Sequence, residues 1–143
     1  MDRALIDRAV RLLRAGPATG PRADLALAAR VIGGLVFVVF GFGKFVNHSS
    51  EVDSFRDYGL PSPDAFVYAI GVVEVVGGVL LVLGLLTRLA ALVLAGDMVG
   101  AIVASGINKG EPISLTLAPA ELVACLYLLW IGPGSRALDR RTR

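Results

Sequence analysis

Long apolar stretches alternate with short polar segments along this chain. A helix needs about 20 residues to cross the hydrocarbon core of a bilayer. Four apolar stretches have roughly that length, and they occupy residues 25–46, 65–86, 89–107 and 113–131. Charged residues are concentrated before, between and after these stretches. The pattern predicts an all-α integral membrane four-helix bundle over residues 24–132.

The composition agrees with a membrane protein. Of the 143 residues, 55% are hydrophobic and 18% are charged, whereas soluble domains contain about 25% charged residues. The formal net charge of +2 gives little support to a role in nucleic-acid binding. A single cysteine excludes an internal disulfide or a CxxC redox pair, and a single histidine argues against a metal site.

The first outer loop carries a helical pattern of its own. Ser50 is placed to cap a short helix, with Asp53 three residues further on. Phe55 lies on its apolar side, and Gly59 followed by Pro61 is expected to end it. We expect an amphipathic segment that lies on the outer membrane surface and partly covers the mouth of the bundle.

Both ends of the chain are basic. Residues 1–23 form an amphipathic pattern, with Leu5 on one helical face and Arg3 on the other. Such a segment either lies on anionic lipid headgroups or is a solvated helical tail. Residues 133–143 form a second basic segment, the tail.

The distribution of lysine and arginine predicts the orientation. Eleven of the fourteen basic residues fall in the two terminal segments, the inner edge of the first span and the turn between the second and third spans. The other three are Lys44, Arg56 and Lys109. Because basic residues are enriched on the cytoplasmic side, both termini are expected in the cytoplasm.

Three acids interrupt the apolar stretches. Glu74, Asp97 and Glu121 lie on the second, third and fourth spans. Counting about 1.5 Å per residue places all three in the middle and outer part of the membrane. A buried acid costs several kcal/mol, so such residues usually face protein or water and mark function. They are candidates for a ligand pocket, although buried acids can also simply tie helices together.

Small residues accompany the acids. Small residues let membrane helices approach closely, so the acids are expected to point into the bundle. Lys44 is the best basic partner for them, unless it serves only as an interfacial anchor. The small residues expected at helix contacts are Gly71, Gly77, Gly78, Gly100, Ala101 and Ala104.

Several segments resemble the DoxX family of bacterial membrane proteins. They are GFGKF in the first span, FRDYGLPSP in the loop, and GVVEVVGGVLLVLGLLTRLAALVLAGDM in the second and third spans. The most specific element runs from Glu74 to Arg88, and the lysine after the glycines, Lys44, is also typical. The resemblance implies a four-helix bundle in a bacterial plasma membrane, with Lys44, Glu74 and Arg88 at characteristic polar positions.

The resemblance also implies a function. Some members are subunits of a quinone-reducing oxidoreductase, and others belong to oxidative-stress complexes. The expected role is therefore a quinone-associated or redox-complex membrane subunit. No intrinsic cofactor is expected, and the cofactor that the resemblance implies is a quinone. Its partners would be the lipid bilayer and a soluble or membrane redox protein, and a homo-oligomer is compatible with the pattern.

Two other functions stay open at this point, as does the question of whether the chain is itself an enzyme. The acids could form a path for protons or a small solute. Alternatively, the basic ends could anchor a soluble enzyme to the membrane.

Overall fold

The computed structural model describes residues 3–13 and 18–140. Within that part the chain is helical and contains no strand. The α-helices are α1 Arg3–Leu13, α2 Pro21–Val46, α3 His48–Asp57, α4 Pro63–Leu83, α5 Thr87–Ala101 and α6 Pro112–Ile131. A π-helical segment, Ile102–Ile107, extends α5, and a short 3₁₀ turn spans Leu138–Arg140.

Four of these helices are long and apolar enough to cross a membrane: α2, α4, α6, and α5 with its π-helical extension. Large apolar side chains point away from the bundle along them, as Ile32, Val39 and Val123 show with about two thirds of their surface exposed. Such side chains are suited to lipid rather than water. The predicted all-α four-helix membrane bundle is confirmed.

The helix ends differ from the predicted spans by a few residues. The second span was predicted to reach residue 86, but α4 ends at Leu83 because Gly84 adopts a left-handed φ of 69°. The turn therefore comprises residues 84–86, and Thr87 and Arg88, which were expected to form it, begin α5. The first span begins earlier than expected, at Pro21, a residue suited to the first turn of a helix.

Helices α2 and α4 meet along glycines. A Cβ added at Gly34 would lie 2.7 Å from the carbonyl oxygen of Gly78, and one at Gly78 would lie 2.6 Å from that of Gly34. One Cβ at Gly41 would lie 2.9 Å from the carbonyl oxygen of Gly71. Two antiparallel backbones thus touch at two levels, as small residues in membrane helices permit. Gly77 faces the third span instead, against Leu94.

The loop helix α3 lies at one end of the bundle, here called the α3 end. It begins at His48, so the prediction that Ser50 caps it is wrong: Ser50 lies inside the helix and its carbonyl accepts a bond from Ser54 Oγ. The helix ends before Gly59, which has a φ of 76° as the sequence suggested.

At the opposite end, here called the tail end, residues 132–140 fold back onto the bundle. Arg30 is 1% exposed and donates from Nη1 to Pro133 O at 3.1 Å and from Nη2 to Ser135 O at 3.3 Å. Asp139 accepts from the backbone N–H groups of Leu86 at 2.7 Å and Thr87 at 2.9 Å. The tail, expected only as a basic extension, is in this part a structural element.

The N-terminal segment is helical where it is described. In α1 the apolar side chains Leu5, Ile6 and Val10 are exposed. The described part of the chain leaves out residues 1, 2, 14–17 and 141–143. The predictions for the two basic ends lie outside the described residues at these positions.

Candidate functional site

An ion pair joins the first two spans in the half of the bundle near the α3 end. Nζ of Lys44 on α2 lies 2.8 Å from Oε2 of Glu74 on α4, and the two side chains are 11% and 6% exposed. Glu74 sits between Gly71 and Gly78 on the buried face of α4. The close glycine contacts between α2 and α4 keep Lys44 and Glu74 at this distance. Their pairing offsets much of the free energy that burying the two charges costs.

Asp97 of α5 completes the cluster. Its carboxyl group lies close to that of Glu74 and in the electrostatic field of Lys44. A bond between two carboxyl groups needs a proton, because ionised carboxylates can only accept. Oδ2 of Asp97 is buried and has no hydrogen-bond partner among the described residues. The cluster of Lys44, Glu74 and Asp97 therefore holds one cation, two acids and an unused acceptor.

The cluster forms part of the wall of a large cavity, with a volume of about 670 Å³. Helix α3 covers one side of it with Glu51, Ser54 and Phe55, and Tyr58 follows directly after the helix, which agrees with the predicted cover over the mouth. The other lining residues are mostly apolar and include Phe40, Leu60, Phe66, Ile70, Val73, Val93, Ala101, Ala104 and Ile113. The result is an apolar chamber with charged groups at one place.

The large cavity opens between α4 and α5. Gly96 and Gly100 line it, both are exposed, and a Cβ added at either would meet nothing within 4 Å. The expectation that Gly100 serves close helix packing beside Asp97 is wrong, because the space beside it belongs to the cavity. Small residues here widen an opening toward the surface that faces lipid.

A second polar group lines the cavity near the start of α6. Ser105, in the π-helical segment, donates to Ala101 O at 3.2 Å and is hydrogen-bonded to Ser114. Glu111 caps α6 by accepting from the N–H groups of Ser114 at 2.6 Å and Ile113 at 3.1 Å. Slight burial opposes ionisation, but these bonds outweigh it and lower the pKa of Glu111.

These residues were not identified from the sequence. Only the Glu111 cap has a local signal, an acid directly before the first turn of a helix that starts with a proline. A π-helical segment widens the backbone spacing and is often found at functional sites, but the apolar sequence IVASGI does not mark it.

Glu121 lines a second, smaller cavity of about 100 Å³, which Asp97 does not line. This small cavity is lined by Lys44, Glu74 and Glu121, with Ser114 as a further polar group and mainly apolar residues around them. Glu121 is 7% exposed, and its Oε2 has no hydrogen-bond partner among the described residues. Two predicted acids thus line the large cavity with Lys44, and the third shares the small cavity with Lys44 and Glu74.

Arg88 belongs to the other end of the molecule. Its Nη2 donates to Trp130 O at 3.4 Å, and it lies beside Gly132 at the tail end. It lines neither of the two cavities. His48, the first residue of α3, contacts Asp64 Oδ1 at 2.6 Å.

Comparison with known proteins gives the family. Residues 25–106 match the DoxX family model. An uncharacterized membrane protein of Mycobacterium tuberculosis is 38% identical over 138 residues, covering 87% of this chain and 83% of that protein. The protein named "Putative oxidoreductase CatD" of Bacillus subtilis is 39% identical over 113 residues, covering 79% of this chain and 83% of that protein.

A third relative, inner membrane protein YphA of Escherichia coli, is 31% identical over 137 residues, covering 84% of this chain and 91% of that protein. No solved structure matches the chain. The matched region includes Lys44, Glu74 and Asp97 and three of the four spans. This multi-pass membrane protein belongs to the DoxX family.

Proposed function

We propose that this protein is the quinone-binding membrane subunit of a redox complex, with the quinone head beside Lys44, Glu74 and Asp97. The observation that carries the proposal is a charged cluster in the wall of a large apolar cavity that opens between two membrane helices. Its ligand should therefore be mostly apolar, reach the site from the bilayer, and carry polar atoms at one end.

The residues present fit a quinone. Its carbonyl oxygens need hydrogen-bond donors, and the ammonium group of Lys44 offers three N–H groups, of which Glu74 engages only some. The buried Oδ2 of Asp97 is a free acceptor, or a donor when protonated. A volume of about 670 Å³ lies in the range of about 300–1,000 Å³ typical of small-molecule sites.

A bound quinone supplies an acceptor for two electrons and two protons. The residues of this chain supply the surroundings for that chemistry. Lys44 holds the position of the head by hydrogen bonding and balances negative charge. Glu74 and Asp97 lie close enough to share a proton, and a protonated member of the pair can pass it on, which is the role of a general acid. The apolar walls limit the access of water.

The electrons must come from a partner. With one cysteine in the whole sequence, the chain cannot form a dithiol that would be oxidised to an internal disulfide. The printed name of one relative, "Putative oxidoreductase CatD", supports a redox role of this kind. A soluble or membrane-bound redox protein would therefore complete the complex.

Quinone binding to the protein in lipid nanodiscs tests the proposal directly. We expect a photoreactive short-chain quinone to label residues that line the large cavity. Lys44→Met and Asp97→Asn should weaken binding strongly. Glu74→Gln keeps the shape and a donor, so it should retain part of the binding but lose proton exchange.

Two matched controls separate the cluster from general effects. Lys109→Met removes an exposed lysine outside both cavities, and Glu51→Gln removes a carboxylate from the same cavity but from its α3 side. Both should bind quinone like the wild type. Equal binding by Lys44→Met and the wild type, or labelling spread over the lipid-facing surface, would rule the site out.

The structure gives less support to the alternative function, a transport path, than to quinone binding. Arg30 at the tail end and Phe37 farther along α2 are 1% and 2% exposed, and Arg30 is bonded to the folded-back tail. A path through the bundle would have to open this packing. Proton flux in liposomes that the Glu74→Gln variant abolishes would favour transport over quinone binding.

A further inference from the structure

The carboxyl group of Glu121 has no role in the site described above, yet its position is unusual. It lies on α6, more than nine tenths buried, with Oε2 lacking a hydrogen-bond partner among the described residues. Leaving an ionised carboxylate unpaired in such surroundings is very costly. The group must therefore be neutral, or solvated within the protein.

The small cavity provides the room for solvation. Its volume of about 100 Å³ exceeds by several times the roughly 10–15 Å³ that one water molecule requires in such a cavity. Lys44, Glu74, Ser114 and Glu121 give the wall polar atoms to which water can bond. Purely apolar cavities stay dry, whereas polar cavities of this size hold water.

The wall around Glu121 also keeps its carboxyl group in place. A Cβ added at Gly33 of α2 would lie 2.9 Å from Oε2 of Glu121, so this side of the carboxyl group closes directly on the α2 backbone. The remaining open side is the small cavity, where Lys44 and Glu74 form the facing wall.

We propose that Glu121 is a proton-storage residue, linked to Glu74 by water molecules held in the small cavity. The transfer breaks the O–H bond of Glu121 and forms one on Glu74 through the intervening water, with no other reactant. Lys44 faces the cavity and stabilises the carboxylate left behind on Glu121. The groups that meet here come from all four spans, because Asp97 of α5 lies beside Glu74.

The use of this store rests on the proposed function. Quinone reduction consumes two protons, whereas the carboxyl pair of Glu74 and Asp97 shares one. Glu121 would supply the second from a place that the large cavity does not reach, since it lines only the small cavity. It acts on the ligand through Glu74, so it is a positioning and supply residue and not a catalytic one.

Infrared spectroscopy of the protein in nanodiscs, without quinone, tests the assignment. At neutral pH the wild type should show the carbonyl band of a protonated carboxylic acid that Glu121→Gln removes and Glu121→Asp shifts. The band should move to lower frequency soon after transfer to deuterated water. The Glu121→Gln variant replaces a neutral acid with a neutral amide of the same shape. The Glu121→Asp variant keeps a carboxylic acid and serves as the test if Glu121→Gln disturbs folding.

A cavity-filling variant provides the second readout. Ala118 lines the small cavity and is buried, so Ala118→Leu should displace water and slow the deuterium shift of the Glu121 band. Gly100→Leu, which enlarges a residue in the wall of the large cavity, should leave that shift unchanged. The proposal would be overturned if the wild type lacked this band, or if Ala118→Leu did not slow the deuterium shift of the band.

Quinone binding in the same samples separates this inference from the proposed function. Glu121→Gln should bind quinone like the wild type, because Glu121 does not line the large cavity. If the wild type binds no quinone but shows the exchanging band, the proposed function fails and the proton store remains. If it binds quinone without that band, the store alone is wrong.

Discussion

The Nζ atom of Lys44 lies 2.8 Å from Oε2 of Glu74, and the carboxyl group of Asp97 lies beside the same glutamate. The three groups are not equivalent, because there is one cation for two acids. Removing the cation leaves two facing carboxyl groups, whereas removing the charge of Glu74 leaves Lys44 with Asp97 as its partner.

This asymmetry predicts unequal losses of stability. Lys44→Met should destabilise the protein by about 3–5 kcal/mol, the cost of breaking a buried pair from one side. Glu74→Gln should cost less, and the double variant should be more stable than Lys44→Met alone. Thermal unfolding in one detergent checks the order, with Lys109→Met as the exposed control. Equal losses in the two single variants would contradict the asymmetry.

Glycine contacts between α2 and α4 should be sensitive to a single methyl group. Gly78→Ala places a Cβ 2.6 Å from Gly34 O, so the two backbones must separate. We expect a loss of about 1–3 kcal/mol and a lower unfolding temperature. Gly100→Ala is the matched control, since its Cβ meets nothing within 4 Å, and it should be neutral or stabilising. An unchanged melting temperature for Gly78→Ala would refute the contact.

The spans and the inward direction of Glu74 could be predicted because they depend on local patterns. Apolar length defines a membrane helix, and the spacing of Gly71, Glu74 and Gly78 puts them on one face of it. The pairing of Glu74 with Asp97, and the separation of Glu121, could not be predicted. They depend on how four helices rotate and tilt against one another, which depth along each helix does not determine.

The tail shows the same limit more clearly. Asp139 lies 52 residues from Thr87, whose N–H it accepts, and the sequence nearby reads only as a basic extension. Arg30 lies near the end of a predicted span, where nothing in the sequence indicates a partner, and it is buried against the carbonyls of residues 133 and 135. Contacts this distant in the chain carry no local signal.

The orientation in the membrane stays a prediction, and labelling can test it. Single cysteines at Ser50 and Lys109, both exposed, should react with a membrane-impermeant maleimide added outside intact cells. Cysteines at Thr19 and Arg8, also exposed, should react only after permeabilisation. Native Cys125 is 1% exposed and should stay unlabelled. The opposite labelling pattern would reverse the orientation.

The cap at the start of α6 predicts a local pH effect. The pKa of Glu111 is lower in the folded protein than in the unfolded chain. The ionised cap therefore stabilises the fold fully above the pKa of the unfolded chain, and this stabilisation is lost as the pH falls through the pKa of the folded protein. Below about pH 4.3, the usual value for glutamate, the amides of Ile113 and Ser114 should lose protection. Hydrogen exchange, corrected for intrinsic rates, measures this. Glu111→Gln should have the lower protection at neutral pH, and the difference from the wild type should disappear at low pH.

The tail end supplies the last prediction. α5 has Leu86 at its N-cap, with a φ of 50° and no cap bond from its own side chain, and Asp139 supplies the acceptors for Leu86 and Thr87. Asp139→Ala leaves those N–H groups without these acceptors, so it should cost about 1 kcal/mol, as losing a helix cap does.

The loss should also loosen the tail, because Asp139 is one of its anchors to the turn between α4 and α5. Faster amide exchange is expected at Leu86 and Thr87, together with earlier cleavage by a protease within residues 132–140. Asp139→Asn keeps one acceptor and should fall between the wild type and alanine. Arg136→Gln, an exposed change in the same segment, should behave like the wild type. If Asp139→Ala exchanges no faster at Leu86 than Arg136→Gln does, the tail does not cap the helix.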